Sequence, residues 1–217
     1  MKKTFFMAAF ACCMAILSSC GGGGLSLTGP KNPADKAASY DKAIELVKKN
    51  VDADRFKIYE LRFVQGEQLS NDLMYVDVKM VNKDNQPFSQ VYYLNGNVGD
   101  LDLESLSLYV TEFDKIKGID VNKLDTKTIE AQLAEAAKMV PEGHTYKSVS
   151  NYEIAELLPR TSSMLNKGRE IGKQEATFSI CYTEDGKETE TSGGQVTHLY
   201  YESDFIVNPD GTLSVKD

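Results

Sequence analysis

Tryptophan is absent from this chain of 217 residues, histidine occurs only twice, and three of the four cysteines fall within the first twenty positions. Each scarcity removes a class of chemistry. His144 lies in the polar loop "PEGHTY" and His198 sits between Thr197 and Leu199 in a strand-like run. With no His-Glu-x-x-His pair and no Cys-x-x-Cys, two imidazoles do not make the ligand set of a zinc centre. There is no Gly-x-Ser-x-Gly elbow, phosphate-binding loop or dinucleotide fingerprint, so neither cofactor nor resident metal is expected. Long apolar runs are missing too: the longest, Thr4 to Leu17, is fourteen residues, short of the ~20 that span a bilayer. Basic residues are outnumbered, 24 to 32, for a net charge of −8. Such a surface repels phosphate backbones, which argues against nucleic acid as a partner.

What is present is concentrated at the start. Met1-Lys2-Lys3 followed by the apolar run is the pattern of a secretory signal. It ends in "ILSSCGGGG", residues 16–24. Leu17-Ser18-Ser19-Cys20 resembles the lipobox of bacterial lipoproteins, an aliphatic residue and two small ones before the cysteine. The resemblance implies diacylglycerol on the Cys20 thiol, cleavage just before it, acylation of the new amino group and therefore a palmitate-type label. Stable anchoring takes more than one acyl chain, at ~0.8 kcal/mol per buried methylene, and a diacylated cysteine meets that demand. Gly21–Gly24 then serve as the start of a flexible tether. The double-lysine start, the glycine run and the Tyr- and Asn-rich remainder look like lipoproteins of the Bacteroidetes. The acidic cluster that follows the cysteine in their surface-exported members is missing here, so the expected place is the outer membrane, facing the periplasm. Loss of residues 1–19 removes Lys2 and Lys3 and takes the net charge to −10.

With Cys12 and Cys13 in the signal and Cys20 acylated, Cys181 is the remaining thiol, and one thiol makes no internal disulfide. The core must be held by apolar packing, with eleven Tyr and nine Phe as its rings.

Along the chain, Asn32 and Pro33 read as the start of a helix with Asp35 in its first turn, and Ala37, Tyr40, Ile44, Val47 and Val51 as its apolar stripe. In "FKIYELRFV" (56–64), Tyr59, Leu61 and Phe63 alternate with Glu60 and Arg62; in "LMYVDVKMV" (73–81), Met74, Val76, Val78 and Met80 oppose Asp77 and Lys79. "NKDNQP" is a turn and "FSQVYYL" (88–94) the returning strand, with a further strand expected within 105–113. Asp125 or Thr126 caps a second helix carrying Ile129, Leu133, Ala136 and Val140, stopped by Pro141 and Gly143. The stretch 145–158 reads as a strand running into a short helix. "EATFSICYT" (175–183) alternates, Asp185-Gly186 signals a hairpin, "QVTHLYYESDFIV" (195–207) returns, and "NPDG" leads to a final short run.

The expected fold is α+β, antiparallel sheets with packed helices. The division is a signal at 1–19, an acylated cysteine and tether at 20–31, and helix-plus-sheet units at 32–124 and 125–217, or one domain over 32–217. The two units share an order of helix, strands and a last strand bearing Val-Tyr-Tyr or Leu-Tyr-Tyr, which suggests a duplication. Tandem units of this order are similar in outline to the β-lactamase-inhibitor and PepSY types of small periplasmic module, an analogy of topology that carries no function.

Three groups of residues are candidates for function. Tyr92, Tyr93, Tyr200 and Tyr201 can offer a contact platform for a peptide or glycan, or serve cross-strand packing. Asn95, Asn97, Asp100, Asp102 and Glu104 gather oxygen ligands that suit calcium, or a carboxylate pair for hydrolysis, or simply form a solvated acidic loop. Cys181 faces His198 if 184–195 is one long loop, and Glu190 if Asp185-Gly186 makes a tight turn; a thiol beside an imidazole is a potential nucleophile. The expected function is a lipid-anchored envelope module that binds or scaffolds a protein, peptide or cell-wall partner and performs no chemistry. The alternatives are a carboxylate-dependent hydrolase using 95–104, or a structural spacer.

Overall fold

A computed structural model describes residues 30–105, 109–192 and 194–216. The lipobox, Cys20 and the glycine tether lie outside the described residues.

Alternating strand patterns and two amphipathic helices assemble as an α+β fold. The chain runs α1 (Ala37–Asn50), β1 (Phe56–Gln65), β2 (Leu73–Asn82), β3 (Pro87–Tyr93), β4 (Asp102–Leu103), α2 (Thr126–Lys138), β5 (His144–Glu156), β6 (Gln174–Glu184), β7 (Thr189–Ser192), β8 (Gln195–His198), β9 (Tyr201–Val207) and β10 (Leu213–Val215). Eight strands form one sheet in the order β10-β9-β6-β5-β1-β2-β3-β4, and β7 and β8 form a separate hairpin. All paired strands are antiparallel. The strands from before and after residue 125 therefore occupy opposite halves of one continuous sheet, joined through β1 and β5.

Both helices bury their stripes in the same core on one face of that sheet. Tyr40, Ala43, Ile44 and Val47 of α1 and Ile129, Leu133 and Ala136 of α2 pack with Leu61, Phe63, Val76, Val78, Val149, Tyr152, Phe178 and Phe205. The rings carry the packing: Tyr152, Phe178 and Phe205 stack in series at 5.6 and 5.2 Å, and Tyr40 meets Phe63 edge-on at 5.0 Å. Such pairs contribute roughly 0.5–1.5 kcal/mol each beyond their buried area. The buried Tyr40 hydroxyl donates to the Ala34 carbonyl at 2.7 Å, so the ring enters the core with its polar end satisfied.

The second helix starts and stops as its sequence indicates: Asp125 accepts from the Lys127 and Thr128 amides, and Ile129, Leu133 and Ala136 are buried. The first does not. It begins at Ala37, with no side-chain bond from its N-cap, Lys36. Asn32 and Pro33 are drawn instead to the start of β2, the Asn32 amide donating to Asp72 and Pro33 bridging the same residue. Glu130 of α2 accepts from the Ala37 amide at 2.8 Å, a cap supplied from 93 residues away.

Three further expectations are corrected. Residues 145–158 hold no helix; β5 continues to Glu156 because it lies between β1 and β6 and pairs along both edges. Tyr59 leaves the face of Leu61 and Phe63, since a register shift between Ile58 and Glu60 turns it to a second apolar cluster with Val81, Ile116 and Leu158. The expected strand within 105–113 is represented by a single bridge, Tyr109 to Arg160, while 106–108 fall outside the described residues.

Candidate functional site

With both helices on one face, the other face of the sheet is left to solvent and loops. The strand registers define what it carries. One row across it reads Val91, Asp77, Arg62, Glu153, Thr177 and Ile206 from β3 to β9. The row on one side reads Ser89, Lys79, Glu60, Ala155 and Glu175. The row on the other reads Tyr93, Tyr75, Val64, Asn151, Ser179 and Asp204. Directly opposite side chains on one face lie about 4.5–5.5 Å apart at Cβ, so the middle of the sheet carries a block of interleaved charge.

That block is partly removed from water. Glu60 and Lys79 form an ion pair at 2.9 Å with both side chains mostly covered. Burial raises the Asp77 carboxyl above its usual range, with Glu60 adding to the rise and Lys79 and Arg62 opposing it. Glu153 is raised for the same first reason, with Glu60 again adding and Arg62, Lys79 and Lys216 opposing. One carboxylate oxygen of Asp77 is buried with no hydrogen-bond partner. Next to this block a cleft of about 290 Å³ opens, lined by Tyr59, Glu60, Lys79, Tyr109, Glu153 and Arg169 among others. Its rim is built by the loop after β5, where Asn166 bonds the Arg160 backbone in both directions at 2.7 and 2.8 Å. Glu156, at its edge, accepts from the Lys117 and Gly118 amides and is thereby committed to holding the loop before α2.

A second polar group lies further along the same face. Two register shifts in β5, around Lys147 and Ser150, bring Ser148 opposite Cys181 and place Ser150 and Asn151 beside Ser179. Ser150 donates to Glu202, and Ser179 donates to Asp204 at 2.5 Å. Cys181 is fully buried beneath, its sulfur accepting from the Gln68 amide at 3.3 Å. Burial, helped by the Glu202 charge, pushes its thiol up to about 12, which keeps it protonated and a poor nucleophile. Neither geometry expected for Cys181 occurs. Its cross-strand neighbours are Ser148 on β5 and Glu202 on β9, whereas His198 pairs with Thr189 and Glu190 with Thr197 in the separate β7–β8 hairpin. Asp185-Gly186 does form a turn, with Gly186 at φ 77°, but the chain leaves the sheet there and rejoins it only at β9.

The four tyrosines do not converge. Tyr92 is wholly buried with the helix-side core. Tyr93 lies on the helix-free face, 5.7 Å from Tyr75. Tyr201 stacks on Tyr182 at 5.7 Å and meets His144 edge-on; Tyr200 lies between β8 and β9. In the acidic loop, the Asn95 side chain accepts from the Asn97 amide, Asp100 and Asp102 are exposed, and Glu104 accepts from the Tyr59 hydroxyl at 3.3 Å. Among the described residues no group of three His, Cys, Asp or Glu side chains is gathered closely enough to hold a metal ion.

Sequence reasoning set Glu60, Arg62, Asp77 and Lys79 on polar strand faces but did not mark them as a site, because nothing in one strand shows which strand lies beside it. Glu153 and Arg169 were missed altogether: the first sat in a stretch of ambiguous period, the second in a loop. No family model, no curated protein and no solved structure matches the chain.

Proposed function

We propose that this chain is a lipid-anchored envelope protein of the bacterial lipoprotein class that binds a protein, peptide or cell-wall partner through the helix-free face of its sheet and performs no chemistry. The observation that carries the binding half of this reading is the half-buried set of charges Glu60, Asp77, Lys79 and Glu153, with the exposed Arg62 among them, beside a formed cleft. A face with no binding role gains nothing by desolvating two carboxyls, which costs stability. The anchoring half rests on Leu17-Ser18-Ser19-Cys20.

The same reading includes a duplication. In each half a helix precedes four sheet strands, and the first strands of the halves, β1 and β5, pair antiparallel at the centre with the rest ordered outwards. Two copies of one unit related by a two-fold axis would produce that order, with β7–β8 as an insertion in the second copy. A binding face that crosses the seam would then be built from equivalent strands of both copies.

One experiment tests anchor and binding together. Cells producing the full chain with a photoreactive side chain at Thr177 are fed labelled palmitate and irradiated. The expected result is one palmitate-labelled species with a discrete crosslinked product in the membrane fraction, and loss of label in Cys20→Ser. Label retained by Cys20→Ser contradicts the anchor, and a crosslink-free chain contradicts the binding face.

A further inference from the structure

The lining of the cleft beside the charge block carries both signs of charge, Glu60, Glu153 and Glu156 with Lys79 and Arg169. Among the described residues, neither Glu153 nor Arg169 takes part in an ion pair, whereas Glu60 is bonded to Lys79 and Glu156 to two backbone amides. Arg62 lies across from Glu153 in the register but is exposed and forms no bond to it. Arg169 Nε is buried without an acceptor, a state that costs free energy until an acceptor arrives. Tyr59 and Tyr109 also line the cleft, Tyr59 packed in the second apolar cluster and Tyr109 carrying the Arg160 guanidinium over its ring. The volume, about 290 Å³, is at the small end of ligand pockets.

We infer that this cleft takes a small zwitterion, an amino acid or a dipeptide, with Arg169 receiving its carboxylate and Glu153 its ammonium group. The inference rests on the binding role proposed above and names the ligand of one part of that face. Guanidinium binds carboxylate through two parallel hydrogen bonds and so fixes its orientation. A carboxylate in a partly dry wall favours a cation over a neutral group more strongly than one in water does. Glu60 and Lys79 are tied to each other, so neither is free to compete with Glu153 and Arg169 for the ligand's charges. A ligand with one charge alone would leave either Glu153 or Arg169 uncompensated, which is the source of selectivity.

Calorimetric titration of the full chain with the dipeptide Ala-Ala, its N-acetyl derivative and its C-terminal amide provides the test. Free Ala-Ala is expected to bind saturably, with acetylation or amidation each weakening it roughly tenfold or more. Arg169→Gln is expected to erase the penalty for amidation while keeping that for acetylation, and Glu153→Gln to do the reverse. The ligand changes need no mutation, so the test survives a variant that fails to fold. Equal binding of all three ligands, or no saturable heat with any, overturns the inference. Either result leaves the broader binding face standing if the Thr177 crosslink forms.

Discussion

Glu153 holds its proton more tightly in the folded chain than in the unfolded one, because burial and the Glu60 charge outweigh Arg62, Lys79 and Lys216. The sign of its effect on stability follows. Ionised Glu153 weakens the fold at neutral pH, and the penalty disappears as pH falls through the raised folded value towards the ordinary glutamate range near about 4.3. Glu153→Gln is therefore expected to raise the unfolding free energy at neutral pH by on the order of 0.5 kcal/mol, discounted for its partial exposure, with the difference shrinking in acid. Urea unfolding at several pH values checks this. A variant less stable than the parent at neutral pH would mean that Glu153 is paired in a way its surroundings do not show. Cys181 behaves oppositely to a reactive thiol: it is closed in by Gln68, Ser148 and Ser150 and pushed up to about 12.

Among the elements, α1 shows what local signals omit. Asn32, Pro33 and Asp35 are a sound helix start by residue type, yet the chain puts Asn32 and Pro33 to use at β2 and borrows a cap from α2. Glu130→Ala removes the acceptor of the Ala37 amide and the ion pair to Lys36. The expected result is a lower unfolding midpoint, the effect of losing a side-chain cap; Glu135→Ala, an exposed change on the same helix, serves as the comparison and should lower the midpoint less. The α+β class, α2 with its cap and stop, and most of β1, β2, β3 and β6 were legible because each is written in one segment as periodicity and turn chemistry. The site was not. It depends on Arg62 lying between Asp77 and Glu153, a pairing of strands far apart in sequence, and on the shifts in β5 that gather Ser148 and Ser150 near Cys181. Hairpin chemistry misled at Asp185-Gly186 for a related reason: a turn residue fixes the local bend, not which strand receives the returning chain.

For the molecule as a whole, the two faces of the sheet divide the work. The helix side takes the rings and aliphatic groups that hold the fold together, with no disulfide among the described residues. The other side keeps charge, hydroxyls and a cleft in the middle of a chain whose surface is otherwise acidic. Carboxyl footprinting with a water-soluble carbodiimide, in native envelopes and on the purified full chain, asks directly whether that face is covered in place. The account predicts that Asp204 and Glu153 are protected in envelopes and become reactive on purification, while Glu45 and Glu135 on the exposed sides of the helices react equally in both. Equal reactivity of Asp204 and Glu153 in the two preparations, or protection of Glu45 and Glu135 instead, would contradict it.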